Sequence, residues 1–203
     1  MGRNVPGRRP RHRTGWERFF DGPCDSRAVI IALTGTPGTG KSTAGEVLRR
    51  NGRTVIELGD LIRERAVPCT VDPERGSLEV DPDVLDEEVR KALPEGDVIL
   101  VGHLSHLLTV DLIVVLRCRP SVLASRLRAR GWPEAKVLEN VEAEACDVIL
   151  VESAEASEEV CEIDTTGMTP EEVAGAVLEI MSGEREKYAI GNVDWSEEVL
   201  GWF

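Results

Sequence analysis

The chain has 203 residues, 41% of them hydrophobic and 30% charged, which suits one compact α/β domain with terminal extensions and a sizeable core. Its formal net charge is -13, unevenly spread: residues 1–27 hold seven arginines against Glu17, Asp21 and Asp25, so that segment is about +4 and the remainder about -17. An acidic body excludes a broad basic nucleic-acid face and leaves RNA contact to the N-terminal arm, or to a basic partner protein.

In chain order, residues 1–27 are rich in Arg, Gly and Pro without a hydrophobic period, and read as a disordered basic arm. The arm has no apolar run after its arginines, so it is not expected to be a secretory signal. The folded body starts near Ala28 with a β-branched run to Leu33, expected as a strand. A helix is expected over Lys41–Arg50, a strand over Thr54–Glu57 and a helix over Asp60–Ala66. Residues 69–80 read as an irregular excursion or a short hairpin, on their Asp-Pro and Arg-Gly dipeptides. There follow a helix over Pro82–Leu93, strands over Asp97–Val101 and Leu112–Leu116, helices over Ser121–Arg130 and Glu134–Leu150, a strand over Val160–Ile163 and a helix over Pro170–Met181. Pro82, Pro133 and Pro170 stand where a first helical turn tolerates proline, and Asp81 and Thr169 are placed as N-caps. Apolar strands alternating with amphipathic helices are the signature of a parallel sheet covered by helices. The tail, residues 183–203, ends in Trp195, Val199, Leu200, Trp202 and Phe203, an apolar face that either docks back on the body or binds a partner.

Between the first strand and the first helix lies Gly35-Thr36-Pro37-Gly38-Thr39-Gly40-Lys41-Ser42-Thr43, which fits the GxxxxGK(S/T) phosphate loop in full. Glycine backbone lets consecutive amides turn toward phosphate oxygens, and the following helix N-terminus adds partial positive charge. Lys41 can bridge the β- and γ-phosphates of ATP, and the Ser42 hydroxyl can ligate Mg²⁺. No guanine-reading NKxD motif and no transporter signature occurs, and the body is too short for a hexameric motor, which leaves a small-molecule kinase. Such an enzyme needs cations near the transferred phosphate when a lid closes. Arg126 and Arg130 share one helix face, Arg117 and Arg119 end the fourth strand at the ligand edge of the sheet, and Arg128 either joins them or is solvated. Lys136, Asn140 and Glu144 share another face, for ligand contact or for bracing a lid. Five cysteines without a CxxC pair fit a reduced, cytoplasmic protein, and no apolar run reaches the roughly 20 residues needed to cross a bilayer.

Together the phosphate loop, ELGDLIRE (Glu57–Glu64), VGHLSHLL (Val101–Leu108), DLIVVLR (Asp111–Arg117) and RLRARGWPEAKVLENVEAE (Arg126–Glu144) resemble the adenylate kinase isoenzyme 6 family, its archaeal members in particular. The resemblance runs from about Ala28 to the C-terminus. It implies an α/β P-loop NTPase of adenylate-kinase-like three-layer architecture, with a parallel five-stranded sheet in a kinase domain over residues 28–182, and a short lid near residues 126–136. It also implies a broad nucleoside monophosphate kinase using ATP and Mg²⁺, some ATPase activity, and a role in small-subunit and rRNA maturation through the universal ribosomal protein S eleven. By position, Gly38, Gly40, Lys41, Ser42 and Thr43 match the ATP loop and Arg130 the lid arginine. Gly59 and Asp60 fall on the monophosphate side, and His103 matches the histidine of an acid-x-His element, facing water or phosphate or merely bonding a loop. The acid of that element is Val101 here. Metal binding would then rest on Ser42, the nucleotide phosphates and another acid, with Glu57, Asp60 and Asp111 as candidates.

Overall fold

A computed structural model describes residues 28–71, 78–157 and 159–202 of the chain. The expected N-terminal arm, the two turn dipeptides within residues 72–77 and the terminal Phe203 lie outside the described residues.

The strands are β1 (Ile30–Thr34), β2 (Thr54–Glu57), β3 (Cys69–Val71), β4 (Leu78–Val80), β5 (Val98–Val101), β6 (Leu112–Arg117) and β7 (Val160–Asp164). The helices are α1 (Lys41–Arg50), α2 (Leu58–Glu64), α3 (Pro82–Ala92), α4 (Pro120–Ala129), α5 (Glu134–Ala145), α6 (Val148–Ala156), α7 (Pro170–Met181) and α8 (Ser196–Leu200). Five strands form one parallel sheet in the order β2-β5-β1-β6-β7, and β3 and β4 pair as an antiparallel hairpin. Strand side chains alternate between two helical layers, as a sheet buried on both faces requires. Ile31, Leu33, Ile99 and Val101 pack with α1 and α7, while Val98 and Leu100 pack with α2 and α3. Ala32, Ile113 and Val115 meet Ile149 and Leu150 of α6. The hairpin of α4 and α5 holds its own cluster of Leu123, Leu127, Val137 and Val141, with Trp132 against it.

Asp81 accepts a hydrogen bond from the Asp83 amide, and Thr169 with Glu172 completes a reciprocal capping box. Three expectations are corrected. Pro133 is the N-cap of α5 and lies outside its first turn. The helix expected from Asp60 starts at Leu58, whose side chain is buried below Gly102, and no side chain caps it. The single helix expected over Glu134–Leu150 is two helices, broken where Asp147 takes φ 56°. A short polar side chain tolerates that left-handed backbone, and here the carboxylate is delivered to the buried Arg117 guanidinium.

Candidate functional site

The phosphate loop leaves the carboxyl end of β1, central in the sheet and beside the switch point where the chain order reverses. A Cβ on Gly35, at φ 135°, would stand 2.3 Å from the Leu116 carbonyl oxygen, and one on Gly38, at φ 98°, would stand 2.8 Å from Leu123 Cδ1. The loop is therefore pressed against β6 on one side and α4 on the other, at positions only glycine fits. Helix α1 starts from the left-handed Gly40 with no side-chain cap and no acid in its first turn. Its first amides and the positive end of its dipole are left for an anion.

Lys41 Nζ donates to the carbonyl oxygens of Gly35 at 2.6 Å and Thr36 at 3.0 Å, folded back over its own loop. Burial brings its pKa down to about 8; Glu144 opposes the shift and the Arg130 charge adds to it. Arg130 is thus near enough to Lys41 to be felt by it, and among the described residues no hydrogen bond or ion pair engages this exposed guanidinium. Thr43 Oγ1 closes the loop's far end on the Gly40 carbonyl at 2.7 Å.

Ser42 Oγ donates to Glu57 Oε2 at 3.3 Å. Glu57 ends β2 in register with Val101 at the end of β5, and it is half-buried, which raises its pKa. Both side chains converge over Gly45 of α1, where an added Cβ would stand 3.1 Å from Glu57 Oε1 and 3.2 Å from Val101 Cγ2. Asp111 is at the opposite, amino end of the sheet, accepting the Ile30 amide at 2.9 Å. Asp60 is exposed and paired with Arg63 on α2. Gly59 is exposed beside it, next to a groove of about 290 Å³ lined by Arg49, Glu57, Asp60, Glu64 and Arg65 among others.

His103 follows β5 and is exposed, yet the protein around its ring, then Lys41 and His106, holds its pKa below the ordinary histidine value. His106 is buried and bridges Thr34 Oγ1 of β1 and Glu152 Oε2 of α6, each at 3.0 Å, a structural role.

The arginines divide. Arg126 donates to the carbonyl oxygens of Thr165 and Thr166 at 2.9 and 3.2 Å, bracing the turn after β7, so it does not stand free beside Arg130. Arg128 pairs with Glu134 across the α4–α5 turn. Arg117, expected at the ligand edge, is instead 1% exposed and shared by Glu144, Asp147 and Glu162. Glu144 also accepts from Thr36 Oγ1 at 2.5 Å and from the Cys118 amide at 3.1 Å. The Lys136–Asn140–Glu144 face therefore braces the loop through Glu144, while Asn140 donates to the Lys136 carbonyl at 2.7 Å. Sequence reasoning missed Thr36 as the loop's handle and Thr165, whose hydroxyl lies 2.8 Å from both the Thr39 and the Arg117 carbonyl oxygens and can donate to either. The only signal for either was a hydroxyl residue at a strand-to-helix turn.

The four described cysteines are free, and burial pushes the Cys118 and Cys161 thiols up to about 11. Among the described residues no helix is long and apolar enough to cross a membrane.

A family profile described as an AAA domain matches residues 31–147. The protein named "Putative adenylate kinase" from Archaeoglobus fulgidus is 48% identical over 174 residues, 84% of this chain and 94% of its own. The same-named protein of Methanothermobacter thermautotrophicus is 47% identical over 174 residues, 85% of this chain and 100% of its own. The chain belongs to this archaeal adenylate kinase family. With the family comes its reaction class, and the chain is a phosphotransferase. The fold is that of P-loop kinases more widely. A shikimate kinase from Acinetobacter baumannii superposes with TM-score 0.53 at 14% identity, over 79% of this chain and 97% of that one. One from Bacteroides thetaiotaomicron gives 0.52 at 21%, over 76% and 98%.

Proposed function

We propose that this chain transfers the γ-phosphoryl group of ATP to AMP or a related nucleoside monophosphate. The observation that carries the reading is the uncapped amino end of α1, with Lys41 folded over the loop and an unengaged Arg130 in its field. Phosphate oxygens entering the loop would exchange for the two carbonyls that Lys41 now contacts, and the lysine would stay charged against them. Gly38, Gly40 and Thr43 shape the amide cradle, Arg130 meets the charge that develops on the transferred group, and Gly59 and Asp60 lie on the acceptor side. Mg²⁺ carried by ATP supplies charge neutralisation at the phosphate oxygens. The Ser42 hydroxyl, a hard oxygen donor at the loop's end, is suited to hold it. His103, neutral at pH 7 on its lowered pKa, can orient or deprotonate a water, which fits a side ATPase activity. Residues 28–182 are the proposed kinase domain, with a lid near 126–136, and the tail that follows is anchored on it through Trp195.

The test is ADP formation by the whole chain, in a coupled assay with and without AMP. AMP-dependent turnover is the expected result. A slow rate indifferent to AMP would overturn it in favour of a cytoplasmic ribosome-assembly factor switched by nucleotide, binding a basic protein such as ribosomal protein S eleven. The net charge of -13 favours such a partner, with any RNA contact left to residues 1–27.

A further inference from the structure

A phosphate-loop enzyme ordinarily holds its metal between the loop hydroxyl and an acid at the end of the neighbouring strand. In this sheet the strand hydrogen-bonded to β1 on that side is β5, and it ends in Val101, whose side chain offers no oxygen. One strand further out, in register with Val101, β2 ends in Glu57. Adjacent strands are about 4.8 Å apart, and a glutamate can recover much of that distance by its length and by leaning across its neighbour. Glu57 leans in this way: its Oε1 and Val101 Cγ2 both crowd the place a Cβ on Gly45 would take, and Glu57 Oε2 reaches the Ser42 hydroxyl. The two other candidate acids are elsewhere, Asp111 at the amino end of the sheet and Asp60 against Arg63. Glu144 is buried on Thr36 and Arg117.

We infer that Glu57 supplies the carboxylate that orders the water shell of the nucleotide-bound Mg²⁺, in place of an acid at position 101. The inference rests on the kinase reading above, and Gly45 leaves the carboxylate room, since a methyl there would stand 3.1 Å from Glu57 Oε1. No group of three or more acidic, histidine or cysteine side chains among the described residues could hold an ion by itself. This fits a metal that arrives with phosphate ligands and needs from the protein only Ser42 and one outer carboxylate.

The experiment titrates Mn²⁺ into the full chain saturated with the imido analogue of ATP, reading free aqua Mn²⁺ by electron paramagnetic resonance. Wild type is compared with Glu57→Gln and with the double variant Glu57→Gln/Val101→Asp, alongside metal-free affinity for the analogue in EDTA. Glu57→Gln should weaken Mn²⁺ about 10-fold, the low end of what loss of an outer-shell partner costs, with metal-free affinity unchanged. The double variant should recover most of the loss. Equal Mn²⁺ affinity in Glu57→Gln and wild type overturns the inference, and so does an equal loss of metal-free affinity, which would make Glu57 a brace for the loop. Failure of the kinase reading is separate: it is the absence of AMP-dependent ADP formation by the wild type.

Discussion

At the scale of single residues, the site contains cations that look alike in sequence and differ in what they touch. Lys41 is folded over the loop and Arg130 lies near enough for its charge to be felt there, whereas Arg126 is spent on the carbonyls of Thr165 and Thr166. Arg130→Ala should therefore cost about 2 to 4 kcal/mol of transition-state stabilisation. Arg126→Ala should act chiefly on stability, by about 1 to 3 kcal/mol for carbonyls left unpaired. Steady-state kinetics and urea melts on both variants check the contrast, and equal kinetic losses would put both arginines on the nucleotide. Lys41→Met should abolish transfer, with a loss of about 10²-fold or more in kcat. Its stability should move by only about 1 kcal/mol, for the two hydrogen bonds to Gly35 and Thr36.

At the scale of elements, the loop, the five parallel strands and the limits of α1, β2 and α7 were legible, because glycine spacing, apolar runs and N-caps are local signals. What escaped was set by distant partners. The break at Asp147 depends on Arg117, a strand away, and nothing within Glu134–Leu150 announces it. The start of α2 depends on Leu58 finding the space below Gly102. Arg117 itself was misplaced because a strand-end arginine reads as ligand-facing until Glu144, Asp147 and Glu162 are seen around it. His106 yields a test of the contact between β1 and α6. Burial lowers its pKa from 6.5, more than Glu152 restores, so the unfolded chain takes up this proton first as pH falls. Stability should then decline below pH 6.5 by more than the carboxylates alone explain, and His106→Gln should flatten that part of the curve. Thermal melts of both proteins between pH 5 and about 8 decide it, and parallel curves would remove His106 from the acid response.

At the scale of the whole molecule, one buried network runs from the phosphate loop to the tail: Thr36 to Glu144, Glu144 to Arg117, Arg117 to Glu162, and Glu162 to the amides of Asn192 and Val193 at 2.8 and 3.0 Å. The ring of Trp195, 7% exposed, covers the Arg117 guanidinium at 5.9 Å, while Leu200 and Trp202 stay 74% and 46% exposed. Arg117→Met would leave buried carboxylates uncompensated and should destabilise by about 3 to 5 kcal/mol. Trp195 gives a finer check on the tail, because its Nε1 is buried without a partner among the described residues. Trp195→Phe should be near neutral in urea melts, while Trp195→Ala should cost about 3 to 5 kcal/mol for the cavity. Equal costs for the two would mean that the indole nitrogen has found a partner in solution.

The α4–α5 hairpin has a consequence for timing. Leu127 and Val137 are both fully buried, and Leu127 also presses on Gly38 of the loop, so a closing motion here would be confined to the turn between the two helices, residues 130–133. A piece of chain that short moves as a loop, on the order of nanoseconds to microseconds, with no domain rotation. At kinase turnover numbers of roughly 1 to 100 per second, the arrival of Arg130 would equilibrate many times within each cycle. The slow step of this enzyme should then be sought in phosphoryl transfer or product departure, and solvent viscosity would separate the two.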